Sequence, residues 1–278
     1  MDAYNITIDG SEKAKLNTIR QGIIENIAAN ALSQKLKSTT YSGDPKSGAV
    51  EASRFKNANV KDYGTARAAG KADGLQDAKV TILIDKRKEI TEEVSKTDLQ
   101  LYGVEGVVES RKVAFRKAIE AHLDRAFFDE AVKVASEVVV TGAKNMGEVL
   151  ETITQSIEST KNSHVDGVER ELIKISLNPV AFGKARSFLD TLKTVSTDNG
   201  VKEIGYYHGV EVHSTTRQTA AVVAQIDGAI GMPVLIDEYA LEKIPLSNDY
   251  SLQLYPTYGV KATTPDLIKK ITTLPEGV

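Results

Sequence analysis

Residues 104–137 read VEGVVESRKVAFRKAIEAHLDRAFFDEAVKVASE, and this stretch decides how the rest of the chain must be arranged. Val108, Phe115, Ile119, Leu123, Phe127, Ala131 and Val134 fall on one face at helical spacing, while Arg111, Lys112, Lys117, Glu120 and Asp129 decorate the others. A helix of this length is about three times the usual one. It should run into Val138-Val139-Val140, which reads as a short β-branched strand closed by Thr141-Gly142.

On the N-terminal side, residues 79–88 alternate: Val80, Ile82 and Ile84 point one way, Thr81, Leu83 and Asp85 the other. That is the period of a strand. Before it, residues 41–78 change character. Gly43, Gly48, Gly64, Gly70 and Gly74 sit among alanines and charges, and large apolar residues are few (Val50, Phe55, Val60, Leu75). Such a segment cannot bury enough surface to form its own core, so it reads as a linker or as a projecting arm ordered by something outside it. The arm is basic, with Arg54, Lys56, Lys61, Arg67 and Lys71, and the acidic residues Glu89, Glu92, Glu93 and Asp98 follow it. Contact between such an arm and an acidic surface is the expected use of those charges. Further upstream, residues 11–37 carry Leu16, Ile19, Ile23, Ile27, Ala31 and Leu32 on one stripe and read as a single helix.

On the C-terminal side, residues 141–232 form a second compact unit. Asn145 with Glu148 is a capping-box variant ahead of Met146, Val149, Leu150, Ile153 and Ile157. Ile173, Ile175 and Leu177 alternate as a strand, and Asn178-Pro179 starts a helix expected to continue through Phe182, Ala185, Leu189 and Leu192. Asp198-Asn199-Gly200 reads as a turn, and residues 209–213 and 220–226 as strands. In the tail, Leu252, Leu254, Tyr258 and Val260 share a face, with Pro256 marking an edge strand or a bulge. Helices and strands without regular alternation or a glycine fingerprint make the fold class α+β.

Composition narrows the function. The chain has 278 residues, 41% hydrophobic and 26% charged, which suits a packed soluble protein and not a disordered one. No apolar run approaches the roughly 20 residues that span a bilayer, and the start has no secretory signal pattern. With no cysteine there are no disulfides, thiolate metal sites or cysteine nucleophile. A net charge of -3 and 6% aromatics supply neither a basic field nor stacking platforms for nucleic acid.

The chain also lacks a recognisable catalytic constellation. His208 and His213 are five apart, an odd separation that sends them to opposite faces of a strand, and no H-E-x-x-H occurs. His122, in the long helix beside Leu123, reads as a structural or surface residue. Phosphate-loop, dinucleotide and nucleophile-elbow patterns are absent. Adjacent acids such as Glu92-Glu93 and Asp129-Glu130 are ordinary on solvated faces. No catalytic residue, metal or cofactor is expected.

The order of elements resembles a known family. A core-poor arm closing on AKVTILIDKRKEITEEVSKTDLQ, followed by VVESRKVAFRKAIEAHLDRAFFDEAV, is similar to the major capsid proteins of tailed bacteriophages, which share the Hong Kong 97-type capsid fold. ELIKISLNPVAFGKAR resembles the strand-to-helix step of that fold's axial domain, GYYHGVEVHSTT its later turn and strand, and YSLQLYPTYGVKATTPDLIKKI the closing strand of its peripheral domain. The resemblance implies an N-terminal arm at 1–40, an extended E-loop at 41–90, and a peripheral domain with its spine helix at 91–140. It also implies an axial domain at 141–232 and peripheral return strands at 233–278. It implies self-assembly through hexamers and pentamers into an icosahedral shell around DNA, without sequence-specific binding. A scaffolding protein and a portal would be partners, and the shell would be built in the host bacterial cytoplasm to end in the virion. Arg54, Lys56, Lys61, Arg67, Glu92 and Glu93 are then the candidate intersubunit contacts. An encapsulin-like compartment shell is the alternative in the same fold, and a soluble enzyme the alternative in another class.

Overall fold

The computed structural model describes residues 10–58, 62–64, 77–197 and 200–275. The chain begins with helices α1 (Gly10–Asn30) and α2 (Leu32–Leu36), followed by a two-residue strand β1 (Lys37–Ser38). Extended backbone at Ala31 divides the single helix expected over 11–37 into two. Strands β2 (Ala49–Phe55) and β3 (Asp77–Leu83) pair antiparallel as a ribbon, from Ala49 opposite Leu83 to Phe55 opposite Asp77. Two short strands follow, β4 (Lys86–Arg87) and β5 (Ile90–Val94).

The long helix α3 (Lys96–Val134) starts earlier than its apolar stripe, capped by the Ser95 hydroxyl, which accepts from the Asp98 N–H. It is broken at Gly103, whose φ of 72° is left-handed, so the straight part begins at Val104, where the stripe begins. Val108, Phe115, Ile119, Leu123, Phe127 and Ala131 are buried, and Val134 is half-buried. The helix ends before Ser136: β6 is Ser136–Glu137, and the β-branched triplet Val138–Val140 lies outside any strand. The correction has a simple cause. Ser136 and Glu137 add to the sheet beside Lys269 and Lys270, whereas Val138 has only one ladder bond, to the Lys270 carbonyl.

Helix α4 (Met146–Glu158) is capped as expected, the Asn145 side chain accepting from the Glu148 N–H, while the Glu148 carboxylate reaches back to the Lys144 N–H. Strand β7 (Ile173–Leu177) leads to α5 (Pro179–Ala185), capped by Asn178. That helix stops at Ala185. A 3₁₀ turn, Arg186–Phe188, leads to β8 (Thr191–Thr197), so Leu189 and Leu192 are not helical. Strand β9 (Gly200–Tyr207) pairs with β8 from Thr197 opposite Gly200, and residues 198 and 199 of the expected turn lie outside the described residues. The remaining strands are β10 (Val210–Ser214), β11 (Val222–Ile226), β12 (Ile230–Gly231), β13 (Val234–Lys243), β14 (Tyr250–Tyr258), β15 (Lys261–Ala262) and β16 (Ile268–Ile271).

Two larger sheets organise the molecule. The first has the order β13-β14-β4, with β5 also on β14, and it packs on α3. Strand β14 alternates buried and half-buried residues along its whole length, as the period of its sequence requires. Pro256 is not on an edge strand, since β14 is flanked on both sides. It sits opposite Ile236, beside a register shift in β13 between Ile236 and Tyr239, so of the two expectations for this proline the bulge is the one realised. The second sheet runs β6-β16-β11-β7-β10-β9-β8.

Two main cores form, and β11 and β16 of the seven-stranded sheet contribute to both, Val223 and Ile268 facing the first and Val222 and Ile271 the second. Ile23, Ile27, Phe115, Leu123, Phe127, Leu252, Leu254 and Tyr258 belong to the one joining α1, α3 and the four-stranded sheet. Val149, Ile153, Ile157, Ile173, Ile175, Val212 and Val222 belong to the one between α4 and the seven-stranded sheet. A third, small cluster of Val50, Ile82 and Ile84, backed by Tyr41 and Leu235, plugs the base of the β2–β3 ribbon onto the body. From residues 41–78 this cluster takes only Val50 and Tyr41, and it is completed by Ile82 and Ile84 of the following stretch and by Leu235 of the body. Among the described residues no helix is long and apolar enough to cross a membrane.

Candidate assembly surfaces

Of the residues singled out by sequence the ribbon itself carries Arg54, and Lys56 lies just past its end. Its alternation sends Val50, Ala52 and Ile82 inward and leaves Phe55 and Leu83 exposed. At the base, the Leu83 carbonyl passes directly over Gly259, and the Lys261 ammonium donates to the Thr81 carbonyl at 3.0 Å. At the far end, the Arg54 guanidinium pairs with Asp266 at 2.7 Å, and the Asn162 amide donates to the same carboxylate oxygen. Alongside, the Asn57 N–H donates to the Ser163 carbonyl at 3.0 Å, and the His164 Nδ1 lies 3.1 Å from the Phe55 carbonyl. Burial raises the pKa of Asp266, but hydrogen bonds from Arg54 and Asn162 more than offset it and hold the carboxyl below its ordinary value.

The candidate contact residues are thus dispersed. Arg54 is committed to Asp266 of its own chain. Glu92, on β5, takes a two-pronged bond from Arg111 of α3, and Glu93 next to it is exposed. Lys56 is exposed just past the ribbon end, while Lys61 and Arg67 lie outside the described residues. Asp266, Asn162 and His164 were not singled out, and nothing local marks them. They are joined to the ribbon across sequence separations of more than a hundred residues.

Apolar side chains left in solvent form further patches. Leu101 and Tyr102 stand at the break in α3, Val180 lies on α5, and Phe188 lies in the 3₁₀ turn after it. Leu246, at the tip of the β13–β14 hairpin, is fully exposed and left-handed, with φ of 63°. The hairpin tip is held by Ser247 and Asp249, whose side chains bond one another, and Asp249 also accepts from the Lys96 N–H at the start of α3.

Two concave sites among the described residues have linings of mixed charge. One, of about 420 Å³, is lined by α3, β9 and β10 together with α2, and Lys35, Lys117, Arg217, Glu120, Asp124 and His213 are among its lining residues. A second, about 350 Å³, holds His122, whose Nε2 is 2.9 Å from the Tyr258 hydroxyl. Burial first, then Lys88, Arg125 and Lys86, push this imidazole toward its neutral form. His208 is exposed in a turn and His213 is buried against Glu211, so the two are not brought together. Among the described residues no group of three or more His, Asp or Glu side chains is placed to hold a metal ion.

No protein-family model matches the sequence, and no curated protein matches it either. Solved structures do. A chain of Mycobacterium phage Che8 superposes with a TM-score of 0.58 at 18% identity, over 81% of this chain and 84% of that one. The virus-like particle of Pyrococcus furiosus gives 0.58 at 11% identity over 92% and 99%. The capsid of cyanophage P-SCSP1u gives 0.58 at 10% identity over 88% and 89%. Identities this low establish the fold, which is the Hong Kong 97-type fold of phage capsid proteins.

Proposed function

We propose that this chain is a structural shell subunit, the major capsid protein of a tailed bacteriophage, and not an enzyme. The observation that carries the reading is the shared fold, which spans most of this chain and most of the capsid chains alike. In this reading residues 1–40 are the N-terminal arm, 41–90 the E-loop, 91–140 and 233–278 the peripheral domain, and 141–232 the axial domain. Hexamers and pentamers of the chain close an icosahedral shell around DNA, with a scaffolding protein and a portal as further partners. The shell is assembled in the host bacterial cytoplasm and becomes the virion capsid. A net charge of -3 suits a wall that encloses DNA without gripping it, because many phosphate contacts would bind strongly and non-specifically.

Contacts between subunits would then use the surfaces the single chain leaves open. These are the exposed Lys56 just past the ribbon end, the exposed Glu93, and the outward faces of Phe55 and Leu83; Lys61 and Arg67, which lie outside the described residues, join them on the sequence reading alone. Arg54 and Glu92 already hold ion pairs within the chain, to Asp266 and Arg111, and would meet a neighbour only by exchanging or sharing those partners. Individually such pairs are worth about 0–1 kcal/mol, and repetition around a closed ring makes them count.

One observation favours a second reading. The archaeal virus-like particle is matched over 92% of this chain and 99% of its own, so an encapsulin-like compartment shell fits the same architecture. Negative-stain imaging of the purified protein tests the shell itself: rings or closed particles are expected, and a protein that stays monomeric at high concentration, with or without a scaffold, would overturn it. Nuclease-protected DNA inside native particles supports the capsid, and an enclosed protein cargo without DNA supports the compartment.

A further inference from the structure

The β2–β3 ribbon touches the body at both of its ends, and the two ends rest on different cores. Its base is plugged by Val50, Ile82 and Ile84 against Tyr41 and Leu235 and lies over Gly259, next to the four-stranded sheet and α3. Among the described residues its far end meets the other unit: Asp266, which immediately precedes Leu267 of the second core, and the turn 160–166 that follows α4. Four interactions converge there within a few residues. Two are made by backbone groups of the ribbon (the Phe55 carbonyl and the Asn57 N–H), and two meet on the Asp266 carboxylate. The other Asp266 oxygen is buried without a hydrogen bond among the described residues, so the carboxylate depends on Arg54 and Asn162 for its compensation.

We propose that the ribbon is a strut, anchored in the spine-helix unit and clasped by Asp266 and the 160–166 turn of the seven-stranded unit, which sets the angle between the two. Direct contact between the units would also be present without it, but a brace with one fixed end and one polar, solvent-edged clasp is the element that can be released without unfolding either core. Polar contacts at a rim exchange with water at small cost, whereas the apolar plug at the base does not. Release at the clasp therefore frees the ribbon end to swing and the two units to change their angle together. The inference concerns the single subunit and does not depend on the shell reading.

The absence of cysteine makes the test clean. Spin labels at Leu101→Cys on α3 and Val180→Cys on α5, both exposed, report the distance between the units by pulsed electron resonance. The native background should give one narrow distance. Asp266→Asn should broaden or shift it, and should raise trypsin cleavage after Lys56 and amide exchange at 54–57 and 160–166 several-fold. The charge-reversed pair Arg54→Asp with Asp266→Arg should restore the narrow distance. If Asp266→Asn unfolds the seven-stranded unit, His164→Ala, which removes a half-buried side-chain partner of the Phe55 carbonyl, replaces it and should loosen the same segments. A distance distribution unchanged while cleavage rises would leave a local clasp and overturn the strut, and unchanged cleavage and exchange would overturn the clasp as well.

Discussion

Gly259 and Leu83 are in backbone-to-side-chain exclusion: a Cβ built on Gly259 would lie 2.1 Å from the Leu83 carbonyl oxygen. Real Cβ atoms do not approach an oxygen that closely, so the ribbon base lies flat on the body only because position 259 has no side chain. The same glycine follows Tyr258 at the end of β14, where its N–H donates to the Pro233 carbonyl.

Gly259→Ala should therefore lift the ribbon off its plug. Overpacking of this kind costs about 1–3 kcal/mol. Urea unfolding should show a loss of that size, and amide exchange should rise along Ala49–Phe55 and Asp77–Leu83 while α3 stays protected. Uniform exchange across the whole chain would mean that the plug is part of the global core.

Phe115 is fully buried on α3 and meets Tyr239 edge to face, ring centroids 5.9 Å apart. Phe115→Ala, or Phe127→Ala one stretch further along the stripe, should cost about 3–5 kcal/mol. The expected result is insoluble or unfolded subunit. A folded monomer that merely fails to assemble would show the stripe to be an intersubunit face.

Acid should weaken the seven-stranded unit through Glu211. Hydrogen bonds from His213 and from Lys174, 3.3 and 2.8 Å away, outweigh the burial penalty and hold this carboxyl at about 2 against an ordinary 4.5. A depressed folded-state pKa means that the unfolded chain binds the proton first as pH falls. The stabilisation is complete above about 4.5 and is lost as pH falls toward about 2. Thermal unfolding of the native chain minus that of Glu211→Gln should show a difference that shrinks across that window. A difference independent of pH would assign the loss to packing.

Asn178 tests the local rules at the entrance of α5. Its side chain accepts from the Ala181 N–H at 2.8 Å, and Asn178→Ala should cost about 1 kcal/mol of stability. Asn178→Asp should recover most of that, since an anionic oxygen caps the same N–H and favours the helix start. Failure of the aspartate to recover it would show that the amide N–H₂ has a role of its own.

Sequence by itself determined whatever depends on short-range period. The stripe on α3, the alternation of β14, the caps at Asn145 and Asn178, and the order of elements that resembles capsid proteins were all legible, because each is written within a few residues and imposed by helix or strand geometry. Tertiary structure decided the rest. Whether Val138–Val140 or Ser136–Glu137 joins a sheet depends on where β16 lies, more than 130 residues away. Pro256 is tolerated inside a sheet because β13 bulges opposite it. The commitment of Arg54 to Asp266, and the dependence of the ribbon on Gly259, join positions 212 and 176 residues apart, which no local pattern encodes. Contacts of that separation are set by the path of the whole chain, and the free energy that selects them comes from burying both cores at once.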